Sequence, residues 1–300
     1  MTSKVLLTGA TGYVGGSLLP ELLGRGHSVR AMARDAAKAK RKLPAEAEIV
    51  EGDVLKPETL PAVVAGIDVA YYLVHSMEGA SGDGFAARDR EGALAFGAAA
   101  RRAGVKRVIY MGGLEGGDDE KSEHLASRDE VARILASHCD DFVHVRAAMV
   151  IGSESASFVM LRSLVEKLPA MICPKWIDTR TQPVSIRDVV GTLAALADLE
   201  LDAPGEIQLG GADVLTYREM MVGYAEAAGR RPPVIIKAPV LSPRLSSHWV
   251  GLVTPVDAGL AKPLVLGLSA EMIVREPPPA GINDDPLGFR DAVRAAIDEG

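Results

Sequence analysis

Residues 4–16, KVLLTGATGYVGG, restrict the fold more than any other stretch of the chain. A short apolar run at 4–8 meets a glycine-spaced loop and then a helical pattern at 15–24. Gly9, Gly12 and Gly15 stand in GxxGxxG spacing between strand and helix, the setting in which such a loop opens a βαβ unit. Each glycine answers a different demand. Gly9 permits the tight turn, Gly12 lets a pyrophosphate approach the backbone, and Gly15 lets the helix lie close to the strand. Free N–H groups and the helix dipole then attract phosphate. Thr11, Tyr13 and Val14 belong to the same cradle.

Short apolar segments go on alternating with helical ones through the first half. Strands are expected at 4–8, 27–32, 48–50, 69–74, 108–111 and 142–146, and helices at 15–24, 59–64, 84–103 and 125–137. This alternation predicts an α/β fold with a parallel sheet covered on both faces. Right-handed crossovers make it a doubly wound Rossmann sheet. Hydrophobic residues are 48% of the chain and aromatics 4%, so the core is mainly aliphatic. After about residue 150 the alternation weakens; helices at 155–167, 185–198 and 286–299 and a strand at 206–209 are expected. The chain divides into a nucleotide-binding domain, 1–150 completed by about 183–210, and a smaller substrate lobe, 151–182 with 211–300. That lobe is expected over the carboxyl ends of the strands, where ligands bind in such sheets.

Charge and composition narrow the partners. A net charge of −7 argues against nucleic acid, whose phosphates require a basic face. No apolar stretch approaches the roughly 18 residues of a membrane span. The N-terminus lacks the apolar core and cleavage site of a signal peptide. Cys139 and Cys173 form no CxxC pair, which suits a reducing cytoplasm, and Cys139 with the nearby His138 and His144 matches no common metal spacing. A small-molecule substrate is the expected partner, and a homodimer is compatible with the chain.

The second strand bears on cofactor choice. An NAD site places an acid at its end to take the ribose hydroxyls. Here the end reads VRAMARD, with Ala33 in the acid's place and Arg34 after it. A small residue leaves room for a 2′-phosphate, and an arginine can hold it through two parallel hydrogen bonds. Arg30 and Lys38 could add positive charge, while Asp35 keeps NAD(H) open as a second choice to NADP(H). Asp53 and Val54, in GDV, are placed toward the adenine; Leu73, Val74 and His75, in YYLVHSM, toward the ribose and nicotinamide.

Together with HLASRDEVARIL, VRAAMVIGSESASF and TRTQPVSIRDVV, these segments resemble the short-chain dehydrogenase/reductase superfamily in its atypical extended branch, the NmrA-like and YbjT-type NAD(P)-binding proteins. The resemblance spans about residues 4–190. It implies a Rossmann fold, a bound NAD(P) and a variable substrate lobe. Ordinary members carry a Ser, a Tyr and a Lys in YxxxK spacing. This chain has Gly112-Gly113 where the serine belongs, His124 at the Tyr position and Arg128 at the Lys position. His124 could move a proton, since imidazole titrates near neutral pH. Arg128 could bind ribose hydroxyls or a developing oxyanion. His75 is a second candidate donor. Arg146 could bind an anion or cap the sheet, and Ala147 should run beneath the nicotinamide. The leading expectation is an NADP-dependent oxidoreductase on a small carbonyl, enone or quinone-like substrate. The alternative is a non-catalytic NADP(H)-sensing protein.

Overall fold

The structure, a computed structural model, describes residues 2–74, 84–114, 123–198, 200, 202–237 and 268–300, leaving out the side chains of 123–125. Its strands are β1 (Lys4–Thr8), β2 (Ser28–Ala33), β3 (Glu48–Glu51), β4 (Val69–Tyr72), β5 (Arg107–Gly113), β6 (Asp141–Ala147), β7 (Val150–Ile151), β8 (Ala170–Cys173), β9 (Arg180–Thr181), β10 (Val184–Ser185), β11 (Glu206–Leu209), β12 (Leu215–Thr216) and β13 (Val234–Lys237). Its α-helices are α1 (Tyr13–Gly24), α2 (Ala36–Lys40), α3 (Leu60–Val64), α4 (Phe85–Ala103), α5 (Glu123–Ala136), α6 (Ala156–Lys167), α7 (Ile186–Ala195), α8 (Tyr217–Ala227) and α9 (Phe289–Asp298).

Seven strands form one parallel sheet in the order β3-β2-β1-β4-β5-β6-β11. This is the doubly wound Rossmann sheet that the alternation predicts. The period of two explains its two cores. Val5, Leu7 and Val29 face Leu18, Leu19 and Leu22 of α1 and Val189 and Leu193 of α7. Leu6, Ala70 and Val108 face Val63 of α3, Phe96 of α4 and Val131 and Leu135 of α5. Each fully buried leucine contributes about 1.5–3 kcal/mol, so β1 is fixed from both sides. The chain winds outward from β1 to β3, then returns to β4 on the other side of β1. The connection reverses between β1 and β4, which fixes the crevice at their carboxyl ends.

A further core lies off the sheet. Phe158, Leu161 and Leu164 of α6 meet Met171, Trp176, Met220, Tyr224, Phe289 and Val293 there.

Some boundaries differ from the sequence expectation for local reasons. β4 ends at Tyr72 because the Leu73 N–H donates to the Thr8 hydroxyl, 3.0 Å, instead of continuing the ladder. β5 runs through both glycines, which stay in register with Arg146 and Ala147. A side chain on Gly112 would overlap the His144 ring, which fills that space from the next strand. The short helix α2 forms where Asp35 caps it, its Oδ1 accepting from the Lys38 N–H at 2.8 Å.

Candidate functional site

The switch point is tightly built. The Thr8 hydroxyl donates to the Tyr71 carbonyl (2.9 Å) and accepts from the Leu73 N–H, locking the ends of β1 and β4 together. Gly9 then turns with φ +71°, and a Cβ there would sit 2.7 Å from the Leu73 carbonyl oxygen. A Cβ on Gly15 would overlap the Gly9 carbonyl, so helix and turn interlock. Gly12 differs: the one nearby atom a Cβ would meet is the Gly9 oxygen at 3.3 Å. Gly12 is also the N-cap of α1 and brings no side chain to satisfy the first N–H groups. Thr11 and Gly12 are exposed, while Tyr13 and Val14 are half-buried. A backbone cradle of open N–H groups at a helix N-terminus fits a pyrophosphate. Thr8 was not anticipated, although a polar residue closing an apolar strand is a visible signal.

At the end of β2, Ala33 is buried and Arg34 is exposed, and Arg34 makes no hydrogen bond or ion pair among the described residues. Asp35 spends one carboxylate oxygen on capping α2. Arg30 departs from expectation. Its guanidinium bonds Glu48 (3.0 Å) and the carbonyls of Ala62, Val63 and Ala65, closing the end of α3. It is a structural cation, away from the carboxyl edge. Asp53 Oδ1 accepts from the Leu55 N–H at 3.0 Å, holding the turn after β3. Val54 lies against α4, where a Cβ on Gly92 would be 2.8 Å from it. Leu73 and Val74 are half-buried beyond β4. His75 lies outside the described residues.

His124 falls in the first turn of α5, with its side chain outside the description. Arg128, one turn on, is half-buried. Burial pushes the Tyr110 hydroxyl up to about 12, and the nearby Arg128 charge pulls it back. Burial, aided by Arg146, lowers His144 to about 3, so its imidazole is neutral. His138 contacts the Ile134 carbonyl through Nδ1 at 2.8 Å, as a histidine in a structural role should. His144 departs from that pattern: its buried Nε2 has no partner among the described residues. Arg146 is a clamp, donating to Asp129 (3.0 Å), Glu206 (2.8 Å) and the Gly113 carbonyl. Ala147 is buried at the end of β6, beside Gly113.

Tyr13 has a role that its place in the loop did not reveal. Its phenol packs on Gly152, where any Cβ would overlap the ring and hydroxyl. Burial raises its pKa, and Ser153 beside it opposes that shift. The glycine loop therefore touches the corner between β7 and α6.

The family model described as NAD(P)H-binding matches residues 9–162. The chain is 26% identical over 264 residues to a ceramide reductase of Caulobacter vibrioides, covering 86% of this chain and 82% of that protein. It is 27% identical over 273 residues to a 3-diazoavenalumate denitrifying reductase of Streptomyces, covering 81% and 86% respectively. In fold it is similar to the triphenylmethane reductase of Citrobacter complexed with NADP(H), with TM-score 0.76, 18% identity, and coverage of 98% of this chain and 99% of that one.

Proposed function

The chain belongs to the NAD(P)H-binding family, in the atypical short-chain dehydrogenase/reductase group, and on that premise we propose that it is an NADP(H)-dependent oxidoreductase acting on a small carbonyl, enone or quinone-like substrate. One observation carries the cofactor half of this reading. Gly9 and Gly15 are interlocked by the protein's own backbone, whereas Gly12 at the helix N-cap is left open on its outer side. When bound, the nicotinamide supplies or accepts the hydride.

The chain's residues have the remaining work. The N–H groups of the loop bind the pyrophosphate. Arg34, exposed beside a small buried Ala33, takes the 2′-phosphate. Asp35, turned to its own helix, is poorly disposed toward a ribose hydroxyl. Arg128 anchors the ribose or a developing oxyanion, and His124 or His75 handles the proton. The further core, 151–182 with 211–300, is assigned to the substrate.

A second reading has its own support. The space of a side chain at Gly112 is filled by a neutral imidazole from β6, so no hydroxyl is available there to orient a carbonyl. That favours a protein that binds NADP(H) and reports its redox state. Stopped-flow oxidation of bound NADPH by quinones, enones and aldehydes separates the two. Turnover with one class supports the oxidoreductase. No oxidation, with unequal affinities for NADP+ and NADPH, supports the sensor. Titrating NADPH and NADH against Arg34→Ala tests cofactor choice, and an unchanged preference would remove the arginine argument. With an assay in hand, His124→Phe at full rate would reduce His124 to scaffold.

A further inference from the structure

Tyr13 belongs to two places at once. It is the first residue of α1, after the Gly12 cap, so its N–H is one of the donors that a helix cannot satisfy internally. Its backbone is therefore part of the phosphate cradle. Its side chain leaves the cradle for the other half of the molecule. A Cβ on the buried Gly152 would lie 2.8 Å from the Tyr13 Cζ and 2.9 Å from its Cε1, and would overlap the hydroxyl. The ring thus rests on the bare Gly152 backbone. The hydroxyl is buried, with Ser153 close by, and makes no hydrogen bond among the described residues. The contact is one of shape, not of hydrogen bonding.

Gly152 opens the turn between β7 and α6. The Ser155 N–H donates to the Gly152 carbonyl at 3.1 Å, and the Ser155 carbonyl accepts the Val159 N–H of α6 at 2.8 Å. The residues on either side are anchored: Ile151 before the turn and Phe158 after it are buried in the further core. The turn between them is not. Ser153, Ser155, Ala156 and Ser157 are half-buried, Glu154 is exposed, and Ser155 gives α6 no side-chain cap. A half-exposed turn with a weak cap opens at low cost, so its order depends on the contacts it receives. The Tyr13 ring is the contact that it receives from the glycine loop.

We propose that Tyr13 is a positioning residue that transmits nucleotide binding to the turn between β7 and α6. A pyrophosphate held at the Tyr13 N–H fixes the backbone that carries the ring. The ring in turn fixes Gly152 and the start of α6, at the edge of the core assigned to the substrate. Nucleotide binding therefore orders this turn. By linkage, whatever unseats the ring weakens nucleotide binding by the same factor. The proposal rests on the NADP(H) reading and adds to it how the bound nucleotide prepares the substrate side.

Hydrogen exchange of the full chain, with and without saturating NADPH, tests it. NADPH should slow exchange about tenfold in residues 153–159 as well as in the glycine loop. 2′-Phospho-ADP-ribose keeps the pyrophosphate but lacks the nicotinamide, and should do the same. 2′,5′-ADP lacks the pyrophosphate and should leave 153–159 unchanged. In Tyr13→Ala, saturating NADPH should still protect the loop but no longer 153–159. Tyr13→Phe keeps the ring and loses only an unpartnered hydroxyl, so it should retain the protection. Gly152→Ala should weaken NADPH binding about tenfold in the parent and have no further effect in Tyr13→Ala. Protection of the loop without 153–159, protection of 153–159 that survives Tyr13→Ala, or an equal loss of affinity from Gly152→Ala in both backgrounds would each overturn the coupling and leave the cofactor reading standing. No binding of NADPH by the parent would overturn both.

Discussion

Glycine-to-alanine changes separate packing from ligand approach. Gly15→Ala drives a methyl into the Gly9 carbonyl, and backbone cannot yield as a flexible side chain can. It should destabilise the fold by about 1–3 kcal/mol and abolish NADPH binding. Gly12→Ala meets only one atom at 3.3 Å. Its melting temperature should stay close to the parent's while NADPH affinity falls, and an unaltered affinity would show that no phosphate approaches there. His144 gives a pH prediction. Its pKa is lowered from 6.5 to about 3, chiefly by burial. Below pH 6.5 the unfolded chain takes up a proton that the native state refuses until about pH 3. Stability is therefore lost as pH falls through that window, by at most about 1.4 kcal/mol per pH unit from this residue. His144→Leu should make the acid limb of the stability–pH curve shallower between about pH 6 and 4, as read by urea unfolding. The glycine loop was legible because its spacing carries its own geometry. The fate of Arg30 was not, since charge alone does not tell which end of a strand a guanidinium serves. Nor was the His144–Gly112 contact, which joins residues on neighbouring strands.

At the scale of elements, α5, which we propose walls the candidate site, is tied to the sheet beneath it. Arg146 of β6 reaches Asp129 of α5 and Glu206 of the edge strand β11. The Arg146 and Asp129 side chains are 10% and 17% exposed, so the pair is largely desolvated. Arg146→Met should destabilise the fold by about 1–3 kcal/mol, because the buried Asp129 loses this charge-assisted bond and Glu206 loses its own. The double change with Asp129→Asn should cost clearly less than the sum of the single ones; additivity in urea unfolding would deny the clamp. Local periodicity revealed β1–β6, α4 and α5 to within a few residues. It did not reveal β7, β8, β9, β10, β12 or β13. These pairs join residues far apart in sequence, as β8 joins β13, and such short strands carry too little alternation to stand out. α8 did offer a local signal, the capping box in which Thr216 and Glu219 bond reciprocally, in the T-x-x-E pattern.

At the scale of the whole molecule, the two halves share more than a linker. The further core draws on α6, β8, α8 and α9, and the chain passes back through α7 and β11 of the main sheet between them. β7 pairs with β10 at the start of α7, tying α6 to the sheet. Tyr13 of the glycine loop packs on Gly152, and Asp188 of α7 accepts from the Leu287 N–H just before α9. Neither core can open without breaking contacts of the other, so we propose that the two lobes are one cooperative unit. Calorimetry should give one transition whose calorimetric and van 't Hoff enthalpies agree. Val293→Asp puts a charge at a fully buried position of α9. It should lower that single transition rather than split off an early one. NADPH at about 100 times its dissociation constant should add about 2.7 kcal/mol to parent and variant alike, since the ligand stabilises whatever unfolds with its site. Two transitions, with NADPH moving only one of them, would instead make the substrate side a separately folding lobe.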